Sequence, residues 1–237
     1  MTELIVDVAH DGATLKNLVV LPEGTGPHPA VLIYHQWSGR SPHEEGAARA
    51  LAGLGYIGIA CDLYGDAKRG TTQEENTALM MPLKDDRAKL RGRLLSLVNA
   101  FAAHDAVDAD RMAVMGYCFG GLCAIDTARA GARVKASISF HGLLGAPEGL
   151  DEPQIHSSVA IHHGWDDPMA PPEHVEAVAK ELSARGADWT LTAYGHAVHS
   201  FTNRDANAKA DGMAYDARAD ARSWRALTAF LSEHIGS

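Results

Sequence analysis

Met112-Ala113-Val114-Met115-Gly116-Tyr117-Cys118-Phe119-Gly120-Gly121 joins an apolar run to a Gly-x-Cys-x-Gly turn, and an apolar helix pattern follows it to Ala130. The order strand, tight turn, helix has a steric logic. A residue at the apex of such a turn is strained, and glycines two positions away on either side let strand and helix approach. Its side chain then stands over the edge of the sheet. A thiol at that point meets the N-terminus of the helix, which favours the thiolate and offers backbone donors to a developing oxyanion. Cys118 is therefore the candidate nucleophile.

Outward from this turn, helix and strand signals alternate. Residues 4–8 and 15–21 read as two strands joined by the hairpin-type pair Asp11-Gly12. The run 30–34 lacks polar alternation and reads as a strand buried on both faces. A helix is expected over 42–54, with Ser41 as N-cap, Glu44 as its capping-box partner and Gly55 as its stop. Strands follow at 56–61, 111–116, 135–140, 159–163 and 189–194. Helices are expected at 85–103, 119–130, 172–185 and 220–234. Residues 71–83 are ambiguous, polar at first and then carrying Met80, Met81 and Pro82; a lid over the crevice and a plain surface loop both suit them. The succession predicts one α/β domain over 1–237, with a mostly parallel central sheet and helices on both faces. Ligands of such sheets bind beyond the carboxyl ends of the strands.

Composition narrows the function. The chain has 237 residues, 46% of them apolar, enough for a large core without staples. Its formal net charge of -9 speaks against a nucleic-acid or anionic-membrane surface. Three cysteines, Cys61, Cys118 and Cys123, make no disulfide framework. The start has no basic region leading into an apolar run, and no later segment is apolar enough to span a bilayer. A cytoplasmic monomer or small homo-oligomer is the expectation.

Two further loops carry chemistry. His163-Gly164-Trp165-Asp166-Asp167-Pro168 follows a strand, and either aspartate suits a triad acid. Gly195-His196-Ala197-Val198-His199-Ser200-Phe201 follows the next strand. The order nucleophile, acid, histidine favours His199 over His196. No His-Glu-x-x-His pattern occurs among the 13 histidines, so no metal is expected. His35 and His141 end predicted strands, whereas His162 and His163 are adjacent and face opposite sides. Cys61 and Cys123 are expected to be core thiols.

These segments resemble the dienelactone hydrolase family of α/β-hydrolases. The likeness runs from the strand at Val31 to the final helix. It is carried by Tyr34-His35-Gln36-Trp37, Asp62-Leu63-Tyr64-Gly65, the Cys118 turn, Gly164-Trp165-Asp166-Asp167-Pro168 and His199-Ser200-Phe201. The resemblance implies the α/β-hydrolase fold and a Cys118–His199–Asp167 triad. It places the oxyanion donors on the backbone N–H groups of Phe119 and Trp37. It implies hydrolysis of a small-molecule ester or lactone through a thioester, with no cofactor. Gln36, Tyr64, Arg69, Asn203 and Arg204 form the expected surroundings of thiol and substrate. Gln36 stands where the family commonly has a Glu beside the thiol, and its amide is expected to favour the thiolate paired with His199. Asn203 stands where well-studied members carry an arginine for a substrate carboxylate, with Arg204 beside it; Lys68 and Arg69 are stand-ins for a second. Preference for an anionic dienelactone is therefore expected to be weak. The alternatives are a small-acyl carboxylesterase and a ligand-binding protein without turnover on the same scaffold.

Overall fold

The computed structural model describes residues 1–236. Strands β1 (Thr2–His10) and β2 (Ala13–Leu21) form the expected hairpin. Asp11 and Gly12 both take positive φ, 47° and 72°, as a two-residue turn between right-twisted strands requires. Then come β3 (His28–Tyr34), α1 (Pro42–Ala52), β4 (Ile57–Ala60), α2 (Gln73–Lys84) and α3 (Arg87–Ala102). The second half contains β5 (Val107–Tyr117), α4 (Phe119–Arg129), β6 (Ala136–Phe140), β7 (Ser158–Gly164), α5 (Pro172–Ala184) and β8 (Trp189–Tyr194). It ends with a small hairpin of β9 (Asn207–Ala208) and β10 (Met213–Ala214), and with α6 (Ala217–Ile235).

The eight-stranded sheet has the order β1-β2-β4-β3-β5-β6-β7-β8. β1 and β2 are antiparallel, and the six strands from β4 to β8 along the sheet are parallel. Alternate residues of β3 show why its sequence is apolar throughout. Leu32 and Tyr34 face Leu94 of α3 and Leu122 of α4, while Val31 and Ile33 face Leu51 of α1 and Leu227 of α6. Burying one such side chain contributes about 1.5–3 kcal/mol, so both layers are held by the same strands. At the far end Val178 and Leu182 of α5 cover Val159 and Ile161. This is the α/β-hydrolase architecture.

Two segments depart from the expectation. Residues 71–83 are not a plain loop: they enter α2, whose N-cap Thr72 forms a capping box with Glu75, and whose first turns border the cleft. Pro82, which lies inside the helix near its C-terminal end and lacks an N–H for the ladder, obscured the pattern. The hairpin at 207–214 was not expected at all.

The elbow glycines have specific neighbours. A β-carbon on Gly116 would strike the carbonyl of Gly120, and one on Gly120 would strike the carbonyl of Tyr34. Both obstacles are backbone, so neither can turn aside. Gly120→Ala should therefore cost about 1–3 kcal/mol by overpacking. Gly145→Ala, where nothing lies within 4 Å of the added carbon, should stay within about 0.5 kcal/mol of the parent. Urea unfolding midpoints of the two variants test this.

Candidate active site

The turn at Cys118 is built as the sequence pattern implies. β5 ends at Tyr117, α4 begins at Phe119, and Cys118 between them has φ 57° and ψ -116°. Such a φ is uncommon for a residue with a β-carbon. It aims the half-buried thiol into a cleft of about 630 Å³ beyond the carboxyl ends of the strands. The other two thiols are fully buried in the layer under α3 and α4, and burial pushes both up in pKa. A thiol so desolvated stays protonated and unreactive.

His199 lines the same cleft. Its Nδ1 donates to Oδ2 of Asp167 at 2.7 Å, and both side chains are buried. Oδ1 of Asp167 accepts the N–H of Met169 at 2.8 Å, which fixes the carboxylate plane. Asp166 is half exposed and lies 3.7 Å from the exposed His196. The two aspartates that motif position left open are thus separated by burial. Nε2 of His199 has no aligned hydrogen-bond partner and stands beside Cys118. Burial works against an imidazolium here. The charge of an ionised Cys118 and the bond to Asp167 outweigh it and raise His199 to about 10.

The backbone of His199 is gripped by the hairpin that the sequence reading missed. Its N–H donates to Gly212 at 2.9 Å, and its carbonyl accepts from Ala214 at 3.1 Å. Asp211 and Met213 of that segment also line the cleft. The signal available for it was the turn pair Asp211-Gly212, at whose Gly212 φ is 76°.

The loop after β3 forms the opposite wall. His35 is buried, and its Nδ1 must donate to the Gln36 carbonyl, 2.6 Å away; Nε2 then accepts the N–H of Leu63 at 3.1 Å. This bond holds the 36–37 peptide, whose N–H belongs to Trp37. Tyr64 donates its hydroxyl to the Trp37 carbonyl at 2.8 Å and so braces the next peptide. Among the described residues, the N–H groups of Trp37 and Phe119 have no protein acceptor. Gln36 does not reach the thiol. Its N–H lies 3.2 Å and its side-chain amide 3.5 Å from Oε1 of the buried Glu44. Oε2 of Glu44 accepts from the N–H and hydroxyl of Ser41, at 2.9 and 2.6 Å. The capping-box glutamate of α1 therefore turns Gln36 away from Cys118.

The expected substrate arginines are also elsewhere. Lys68 and Arg69 are exposed and outside the cleft. Asn203 and Arg204 line a separate groove between α1 and α6, where the Arg204 guanidinium sits 5.6 Å from the Tyr215 ring centre. The cleft wall instead carries Thr71, Thr72, Gln73, Asn76 and Met80, from α2 and the turn before it. The loop after β6 brings in Leu143 and is anchored by the buried Arg129, which bonds the Leu144 carbonyl, Asp126 and Glu181. No group of three or more His, Cys, Asp or Glu converges like a metal site among the described residues. His162 is pushed down to about 4 by burial and shares a hydrogen bond of 3.1 Å with the Tyr194 hydroxyl.

A model of the dienelactone hydrolase family matches residues 15–235. An uncharacterised Caenorhabditis elegans protein is 38% identical over 152 residues, 63% of this chain and 96% of its own length. A putative carboxymethylenebutenolidase of Yersinia pestis is 28% identical over 239 residues, 96% of this chain and 86% of its own. Among solved structures, a dienelactone hydrolase-like promiscuous phosphotriesterase from metagenomic libraries superposes with a TM-score of 0.94 at 35% identity, over 99% of each chain. A protein called m3DLH superposes with a TM-score of 0.90 at 33% identity, over 99% of this chain and 98% of that one. Likeness of this extent in sequence and in backbone superposition leaves one assignment: the chain is a hydrolase and belongs to the dienelactone hydrolase family.

Proposed function

We propose that this protein hydrolyses uncharged carboxylic esters or lactones through a Cys118–His199–Asp167 triad. The observation that carries the reading is the positive-φ Cys118 standing beside Nε2 of a His199 whose Nδ1 is bound to buried Asp167. The thiolate attacks the carbonyl carbon and forms the S–C bond. The N–H groups of Trp37 and Phe119 meet the oxyanion as it develops. As the tetrahedral adduct collapses, the C–O bond breaks and Nε2 gives its proton to the leaving alkoxide. The now neutral imidazole takes a proton from water, whose oxygen adds to the thioester carbonyl. Collapse expels the thiolate, and His199 retains the proton. The ion pair is restored, and Asp167 keeps the tautomer throughout.

The charge of the cleft supports an uncharged substrate. Apart from His199, which the thiolate pairs, no basic side chain lines it among the described residues, and Asp211 is its one carboxylate. A substrate carboxylate would lose water there without a guanidinium to meet it. The relative that acts as a promiscuous phosphotriesterase, 35% identical over 99% of this chain, supports a second reaction at the same thiol, attack on an aryl phosphotriester.

Turnover of short aryl esters and enol lactones tests the reading. Cys118→Ala and His199→Ala should each abolish it, and Asp167→Asn should lower kcat by about 10⁴, as in another triad hydrolase. Asp166→Asn should change little. Activity in Cys118→Ala within a few-fold of the parent would remove the assignment.

Substrate charge gives a separate measure. Between matched neutral and carboxylated aryl esters, kcat/KM should favour the neutral one by about fivefold or more at low salt, and Asp211→Asn should narrow the gap. A preference for the acid would place a basic side chain in the cleft.

The ion pair has its own signature. His199 should keep its proton through neutral pH and lose it only as pH rises through about 10. Cys118→Ala removes the largest contribution that raises this value, so burial should then pull His199 well down. NMR titration of the imidazole follows this, and an unchanged value would mean that the thiolate is not its partner.

A further inference from the structure

His141 is a buried titratable group that the chemistry above does not use. It follows β6 directly, its backbone has φ 38°, and its N–H is fixed on the His162 carbonyl at 2.8 Å. The ring lies edge-on to His199, with centres 5.3 Å apart, and to Phe201 at 5.1 Å. Its hydrogen bonds fix its tautomer. The N–H of Cys118 points at Nδ1 from 3.1 Å, so Nδ1 must carry the lone pair. Nε2 then carries the proton and donates to the Thr202 hydroxyl at 2.8 Å. Thr202 in turn has its hydroxyl 3.4 Å from Nε2 of His43, at the edge of the groove between α1 and α6. The Cys118 N–H is shared, since the Phe140 carbonyl also accepts it at 3.0 Å.

We propose that His141 is a positioning residue for the nucleophile: as a neutral acceptor it holds the Cys118 N–H and, by its edge contact, the ring of His199. The proposal rests on the triad reading above. Its physical basis is the strain of the elbow. A non-glycine residue at positive φ persists only where its surroundings over-determine it. The sheet-type bond to Phe140 alone would suit an extended Cys118 as well. A second acceptor on the same N–H fixes the plane of the 117–118 peptide, from which Cys118 must turn. The charge state matters for the same reason. A protonated His141 would lose the lone pair that accepts from Cys118. It would also set a cation against His199 on one side and toward His43 on the other. Burial, followed by the influence of His199 and of His43, holds His141 well below the ordinary imidazole range. The ring of Tyr117, 6.0 Å away, adds no charge. His141 does not line the cleft, so its effect should appear in the rate of acylation and not in substrate binding.

Two substitutions separate the lone pair from the packing. His141→Asn places an amide oxygen near the position of Nδ1 and tolerates positive φ. His141→Leu fills space without accepting. The Leu variant should lose about tenfold in kcat, the scale of one hydrogen bond, with KM nearly unchanged, whereas Asn should stay within about threefold of the parent. The alkylation rate of Cys118 by iodoacetamide, read by mass spectrometry, should follow the same order. That readout needs no substrate, so it stands even if the hydrolytic reading fails. If the Leu variant does not fold, Thr202→Val releases Nε2 and should slow alkylation, and Thr202→Ser should restore it. Equal losses in Asn and Leu, or no loss in Leu, would overturn the proposal. So would slowing by Thr202→Val that Thr202→Ser does not reverse.

Discussion

Cys118 stands where a strand must end and a helix must begin within one residue. The backbone there takes a conformation that its own β-carbon disfavours, at a cost of order 1–3 kcal/mol. The rest of the molecule supplies what keeps it so. Gly116 and Gly120 remove the β-carbons that would strike backbone carbonyls, and β3 and β6 clamp β5 from both sides. The layers under α3–α4 and under α1–α6 then press both faces of the same strands. Without those layers the elbow would relax, and the thiol would leave the helix N-terminus.

Around the elbow, histidines are used in more than one state. His35 donates from Nδ1 and accepts at Nε2, which locks the peptide that ends in the Trp37 N–H. His141 does the reverse, accepting at Nδ1 and donating from Nε2. Burial keeps both neutral, and a neutral ring alone can donate and accept at once. His199 is equally buried but has a carboxylate on one nitrogen and a thiol beside the other, and it is raised where its neighbours are lowered. Desolvation acts on all three rings. The charged partners decide which ring is raised.

The cleft shows how a local signal can acquire a second use. Ser41 and Glu44 cap α1, as helix starts commonly do. The same carboxylate collects Gln36 and sets the course of the loop that carries Trp37. Arg204 sits over Tyr215 in another groove. The basic charge that an anionic substrate would need is therefore spent outside the site.

Much of this was legible along the chain. The alternation of buried strands and amphipathic helices, the Asp11-Gly12 hairpin, the Ser41–Glu44 cap and the elbow at Cys118 each depend on residues within a few positions of one another, so spacing alone reveals them. The order nucleophile, acid, histidine was readable from three loops that each follow a strand, with Asp167 preferred over Asp166 only by the family resemblance. Helix α2 was obscured because Pro82 and a polar first turn weakened its periodicity, although its cap at Thr72 and Glu75 is a local signal. What the chain order could not decide was direction. Whether Gln36 faces the thiol or Glu44, whether Asp166 or Asp167 meets His199, and where Arg69 and Arg204 reach depend on side chains packed from distant segments. His141 meets Cys118 because parallel pairing of β5 with β6 brings the ends of those strands together, and it meets Thr202 because the segment after β8 returns to the same place. Such contacts span tens of residues and are set by the packing of the sheet, which no local pattern encodes.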